Sequence, residues 1–239
     1  MPLIAFVSRL TEPETAPWLA ALSQALPEVD IRAFSSLSAE DCARVDIAIV
    51  ANPDPADLKA LPTLKWVHSV WAGVERLVSE LGADTPPIVR LIDPELSRNM
   101  AEAVLAWTYF LHRDMPAYSA QQAQKLWNPR PYRHPHDVTV GQMGLAAAAR
   151  LQDAGFSVIG WSQSPKFPTF PTHTGKDGLK TVLARSDIVV CLLPLTAQTR
   201  GLLNADTLRH LPKGAAVINF GRGPLIDTDA LMAALNEGH

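Results

Sequence analysis

Ala216-Val-Ile-Asn-Phe-Gly-Arg-Gly-Pro-Leu-Ile-Asp227 reads as a strand, a sharp turn and the approach to a helix. Residues 216–220 form a short apolar and β-branched run with strand character. Gly221 and Gly223 then flank Arg222, and Thr228 is the expected N-cap of a helix over 229–236. The two glycines let the backbone turn at the carboxyl end of the strand and leave the guanidinium uncrowded. In open α/β sheets that end is where ligands bind. A guanidinium there is a fixed two-pronged donor, suited to a carboxylate or a carbonyl. It could equally pair with a surface carboxylate, and this stretch alone leaves both roles open.

Outward from it, the same strand–helix alternation recurs. Strands are expected over 3–8, 30–34, 47–51, 66–70 and 88–91, with helices over 14–25, 39–44, 57–61 and 74–81. A long helix follows over 98–115, capped by Ser97, and a more polar one over 117–126. The proline-rich stretch from Trp127 to His136 is a surface connector. Beyond it come strands over 138–140, 157–162, 188–193 and 216–220, with helices over 143–154, 178–184, 205–211 and 229–236. Strand–helix alternation with short connections predicts parallel sheets covered on both faces. The fold class is therefore α/β, with two Rossmann-like or flavodoxin-like parallel-sheet domains and a cleft between them.

Composition narrows the partners. The 239 residues, 47% of them hydrophobic, suffice for one large core or two modest ones. With 21 basic against 24 acidic residues and no long run of one sign, neither nucleic acid nor an anionic membrane surface is expected as a partner. Cys42 and Cys191 belong to no C-x-x-C pair, which suggests buried thiols in a reducing, cytoplasmic setting. The amino terminus lacks a signal-peptide pattern, and no apolar stretch reaches membrane-spanning length. His134 and His136 form an H-x-H pair without a third ligand nearby, so no metal is expected.

Gly141-Gln-Met-Gly144 follows a strand and precedes the alanine-rich Leu145-Ala-Ala-Ala-Ala-Arg-Leu, the context of a dinucleotide-binding turn. The fingerprint is incomplete, because Thr139 stands where its first glycine is needed. The next strand ends in Ser162-Gln-Ser-Pro-Lys166. An acidic residue there would favour NAD through the ribose 2′-hydroxyl. Hydroxyls, an amide and Lys166 suit a 2′-phosphate, and so NADP.

Val189-Val-Cys-Leu-Leu-Pro-Leu-Thr-Ala-Gln-Thr199, followed by the Gly221-Arg-Gly223 stretch, resembles the D-isomer-specific 2-hydroxyacid dehydrogenase family. Trp71-Ala-Gly-Val74 resembles that family's substrate loop. Ser97 to Trp107 and Ala123-Gln-Lys-Leu-Trp127 are similar to its glyoxylate/hydroxypyruvate reductase A branch. The resemblance implies a substrate-binding domain over 1–96 and an NAD(P)-binding Rossmann domain over 97–239. It implies reduction of small 2-oxo acids by NADP(H), with NAD(H) as the second choice, in a homodimer. The amides of Ala72, Gly73 and Val74, beside Trp71, would hold the substrate carboxylate. Arg222 would bind and polarise the carbonyl. Gly141, Gln142, Met143 and Gly144 would take the pyrophosphate, and Ser162, Gln163, Ser164 and Lys166 the adenosine ribose or its phosphate. Leu193, Pro194 and Thr199, with Phe220 and Gly221, would line the nicotinamide side. A nucleotide-sensing protein on the same fold, like the family's corepressor relatives, is the alternative.

Two departures accompany the resemblance. The family's proton-donating histidine, its glutamate partner and a C-terminal helix find no counterpart up to His239, and none of the seven histidines stands at the family's position. The glycine turn is also short. Two explanations compete: residues missing from the written sequence, near Val140–Gln142 among other places, or a genuinely shortened protein that binds cofactor poorly and cannot catalyse. The first is expected, because deleting most of a central strand would break the core. It requires a gap well beyond the ~3.8 Å between successive Cα atoms.

Overall fold

The computed structural model describes residues 1–82, 86–144, 147–165 and 169–239. They divide into two compact units, Met1–Ile92 and Asp93–His239. Each holds a five-stranded, all-parallel sheet with helices. Among the described residues no helix is long and apolar enough to cross a membrane.

In the first unit β1 (Leu3–Ser8), β2 (Asp30–Ala33), β3 (Ile47–Ala51), β4 (Trp66–Ser69) and β5 (Ile88–Arg90) take the order β2-β1-β3-β4-β5. Helices α1 (Glu12–Ala25), α2 (Ala39–Cys42), α3 (Pro55–Lys59) and α4 (Glu75–Leu81) connect them. The two-residue period of β1 explains why helices cover both faces. Leu3, Ala5 and Val7 pack with Val45, Val50, Leu58 and Leu77, while Ile4 and Phe6 pack with Ile49 and with Trp18, Leu19 and Leu22 of α1. Cys42, expected to be buried, is half-buried, because α2 is a single short turn at the surface.

The second unit opens with α5 (Pro94–His112) and α6 (Met115–Ala123). Strands β6 (Thr139–Met143), β7 (Ser157–Ser162), β8 (Thr172–Thr174), β9 (Ile188–Cys191) and β10 (Ala216–Asn219) take the order β10-β9-β6-β7-β8. Helices α7 (Ala148–Asp153), α8 (Gly175–Arg185), α9 (Ala205–Leu208) and α10 (Thr228–Asn236) complete it. The strand order reverses between β6 and β9, the switch point where doubly wound sheets take ligands.

Several expectations are corrected here. β6 is not the short 138–140 run. It continues unbroken to Met143 and is paired on both sides, to β7 and β9, so the expected gap near Val140–Gln142 is not found. α7 spans Ala148–Asp153 instead of the expected 143–154. Asp93 and Asp227, not Ser97 and Thr228, cap α5 and α10, accepting from Glu95 N at 2.9 Å and Ala230 N at 3.0 Å. β8 has no counterpart among the expected strands, because Thr-His-Thr carries no apolar alternation and pairs along one side only.

Candidate functional site

The first cluster of expected site residues lies at the carboxyl end of β4. Ser69, almost fully buried, closes the turn: its Oγ accepts from Trp71 N and donates to Trp71 O, both at 3.1 Å. Trp71 is half exposed and meets Trp18 edge-on at 6.3 Å between ring centres. Ala72, Gly73 and Val74 follow, half-buried, before α4 begins at Glu75. Among the described residues, none of their three N–H groups has a hydrogen-bond partner. Successive unpaired N–H groups at the start of a helix suit an anionic oxygen. A small cavity of about 50 Å³ beside them is lined by Asn52, Pro53, Ser69, Trp71, Gly73, Val74, Arg76 and Leu77.

The second cluster lies along the carboxyl edge of the second sheet. After β10 the backbone turns on Asn219, whose Oδ1 accepts from Gly221 N and whose Nδ2 donates to Arg222 O, both at 3.0 Å. Asn219 is not among the expected site residues, although an asparagine ahead of Gly-Arg-Gly is a recognisable turn former. Gly221 is required sterically: a Cβ there would come within 2.7 Å of the Leu193 carbonyl oxygen and 2.6 Å of Leu225 Cδ1. Phe220 N donates to Cys191 O at 3.0 Å, tying the same turn to β9. Arg222 is exposed, and its Nη1 donates to Gly221 O at 3.0 Å.

Beside β10, the segment leaving β9 carries Leu193 and Pro194. Thr199 Oγ1 is occupied within this turn, accepting from Thr196 N at 2.8 Å and donating to Pro194 O at 2.7 Å. It shapes the loop rather than presenting a free hydroxyl. Cys191 is buried, and burial pushes its thiol up to about 12, so it supplies no thiolate.

The glycine turn is smaller than expected. Gly141, Gln142 and Met143, expected at the pyrophosphate, are buried strand residues of β6. A Cβ on Gly141 would sit 2.2 Å from Ser186 Oγ, so that glycine admits α8 to the sheet. Of the two glycines it is Gly144 that makes the turn, with a φ of +122°. A Cβ at Gly144 would also come within 2.9 Å of Leu192 Cβ at the switch point. At the end of β7, the Ser162 hydroxyl donates to the Ser164 carbonyl, with Gln163 and Ser164 exposed. Lys166 lies outside the described residues. Trp161 Nε1 donates to Gly175 O at 2.8 Å and anchors β7 to α8.

Ser162, Gly144, Leu193 with Pro194, and Phe220 to Arg222 thus follow four neighbouring strands at one edge of one sheet. That arrangement fits a dinucleotide laid across strand ends, with a curtailed helix start at the pyrophosphate. His134 and His136 stack at 5.3 Å in the connector, and among the described residues no group of three or more metal-ligating side chains gathers.

A model of the D-isomer specific 2-hydroxyacid dehydrogenase NAD-binding domain matches residues 105–239. Glyoxylate/hydroxypyruvate reductase A of Salmonella enteritidis PT4 is 34% identical over 236 residues, 94% of this chain and 74% of that one. The D-isomer specific 2-hydroxyacid dehydrogenase of Xanthobacter autotrophicus Py2, solved with NADPH and MES, is 37% identical with a TM-score of 0.88, covering 100% of this chain and 78% of that one. The NADPH-dependent glyoxylate/hydroxypyruvate reductase of Sinorhizobium meliloti, solved with NADP and sulfate, is 31% identical with a TM-score of 0.88 over 100% and 78% of the two chains. With the matched domain spanning over half its length, the chain belongs to the D-isomer-specific 2-hydroxyacid dehydrogenase family.

Proposed function

We propose that this protein reduces small 2-oxo acids, glyoxylate and hydroxypyruvate among them, to 2-hydroxy acids with NADPH, and with NADH as the weaker donor. The observation that carries this is the set of unpartnered amides at Ala72, Gly73 and Val74. Free N–H groups converging at the start of a helix are ready donors for a carboxylate. Arg222 supplies the second requirement, a fixed cation that orients the acid and draws electron density from its carbonyl. The nicotinamide dinucleotide, when bound, supplies the hydride. Gly144, Ser162, Gln163, Ser164, Leu193, Pro194, Phe220 and Gly221 are the residues that would hold it, with Lys166 completing the ribose-phosphate end. Residues 157–165 include no carboxylate, which supports NADP(H) over NAD(H). The first unit is then the substrate domain and the second the nucleotide domain, and the working form is a homodimer.

Fluorescence titration with each nucleotide, followed by turnover assays with both acids, tests this. NADPH should bind at least about tenfold more tightly than NADH, a difference of about 1.4 kcal/mol. Arg222→Gln should lose about a hundredfold or more in kcat/KM while nucleotide affinity holds. Failure of both nucleotides to bind would sink the proposal. Nucleotide binding without turnover would favour a nucleotide-sensing protein instead.

A further inference from the structure

The Ala72–Val74 loop is held at both ends by side chains, and only the front anchor, Ser69, belongs to its own strand. At the rear, Arg76 in the first turn of α4 reaches across to the loop that leaves β3. Its Nη2 donates to Asn52 Oδ1 at 2.7 Å and to Pro53 O at 2.9 Å. Its Nη1 faces Glu80 Oε2 at 3.2 Å, one turn along the same helix, which fixes the guanidinium plane. That ion pair is exposed and contributes little by itself. The contacts to Asn52 and Pro53 differ in kind, because they join two separate loops through one rigid fork.

Asn52 holds a left-handed backbone, φ +52°, a conformation that asparagine tolerates better than most residues. This loop is itself braced: Asp54 caps α3 by accepting from Ala56 N at 3.0 Å and lies 3.6 Å from Arg9. It follows β3 at the point where the order of the first sheet reverses, between β1 and β3. Arg76 therefore ties the start of α4 to a stiff, ligand-facing corner of the sheet.

We propose that Arg76 is a positioning residue for substrate, holding the Ala72, Gly73 and Val74 amides in a fixed fan through its bonds to Asn52 and Pro53. It touches no reacting atom. This rests on the carboxylate-binding role proposed above for those amides. Loss of the tie lets the loop move by a fraction of an ångström, which weakens the ground state and the transition state alike.

The test combines steady-state kinetics on glyoxylate, NADPH titration and hydrogen exchange of the Trp71 and Val78 amides, all on the intact chain. Arg76→Ala should raise KM for glyoxylate about tenfold, keep kcat within about twofold and leave NADPH affinity unchanged. Arg76→Lys should recover part of the KM, since one ammonium replaces only some of the fork's bonds. Asn52→Gly keeps the left-handed backbone but removes the acceptor, and should reproduce the KM effect even if Arg76→Ala fails to fold. In each variant that raises KM, the Trp71 and Val78 amides, which donate to Ser69 Oγ and Val74 O at the two ends of the loop, should exchange about tenfold faster, with β4 unaffected. An unchanged KM and unchanged exchange in Asn52→Gly, or a fall in kcat at constant KM, would overturn the proposal. Should the parent protein turn over no 2-oxo acid, the functional reading fails, and the exchange measurement still decides the role of Arg76.

Discussion

Single residues carry two different kinds of message in this chain. Gly221 is there for steric reasons that a sequence can suggest, and the structure supplies the obstacle, the Leu193 backbone. Gln142 is the opposite case. It sits in the middle of β6, fully buried, and among the described residues neither Oε1 nor Nε2 has a hydrogen-bond partner. A buried, unpaired amide costs about 1–3 kcal/mol. Gln142→Met keeps the unbranched shape and removes both polar atoms, so it should raise the unfolding free energy by about 1–3 kcal/mol in a urea titration. An unchanged or lowered midpoint would show that the amide finds a partner in solution. In the sequence Gln142 reads as part of a phosphate loop, because Gly-Gln-Met-Gly has the composition of a turn. Only its neighbours β7 and β9 reveal that it is core.

Among the elements, those with a strong apolar run are legible. β1 and β3 in the first unit and β7 in the second have the bounds expected, since three or more apolar or β-branched residues bounded by polar residues and turn formers admit few alternatives. β6, β8 and the helix starts at Asp93 and Asp227 are less so, because edges and caps are settled by which hydrogen bonds survive in three dimensions. The amino-terminal edge of the second sheet illustrates this. Asp187 accepts from Thr139 N at 2.8 Å and from Arg133 Nη1 at 2.7 Å, tying the proline-rich connector to β6 and β9. Burial raises its pKa, but the Arg133 bond and the Thr139 amide outweigh that and leave it below the usual aspartate value. The carboxylate is thus favoured in the folded state. Its stabilisation is complete above the unfolded-state value, about 3.9, and is lost as the pH falls from there through the depressed folded value. Asp187→Asn should cost about 1–3 kcal/mol at neutral pH, and its deficit should shrink as the pH drops below about 4. A deficit independent of pH in chemical denaturation would refute the charged role.

At the scale of the whole molecule, the remaining question is what covers the outer face of α5 and the chain that follows it. Trp107 and Phe110 meet edge-to-face at 5.2 Å yet are 49% and 40% exposed, and Trp127 is 93% exposed. An exposed aromatic pair of this kind suits an association surface. If the homodimer proposed above uses this face, the double variant Trp107→Asp, Phe110→Asp should elute as a monomer in light-scattering chromatography, whereas the parent elutes as a dimer. A parent that is already monomeric would remove the dimer from the proposal. Two α/β units, their parallel sheets and the carboxyl-edge position of Arg222 can all be read from the chain, since alternation and turn chemistry are local and periodic. The true length of β6, the burial of Gln142, the unpartnered Ala72–Val74 amides and the tie from Arg76 to Asn52 cannot. Each of these depends on segments distant in sequence coming within hydrogen-bond or van der Waals reach, and tertiary packing alone decides which groups meet.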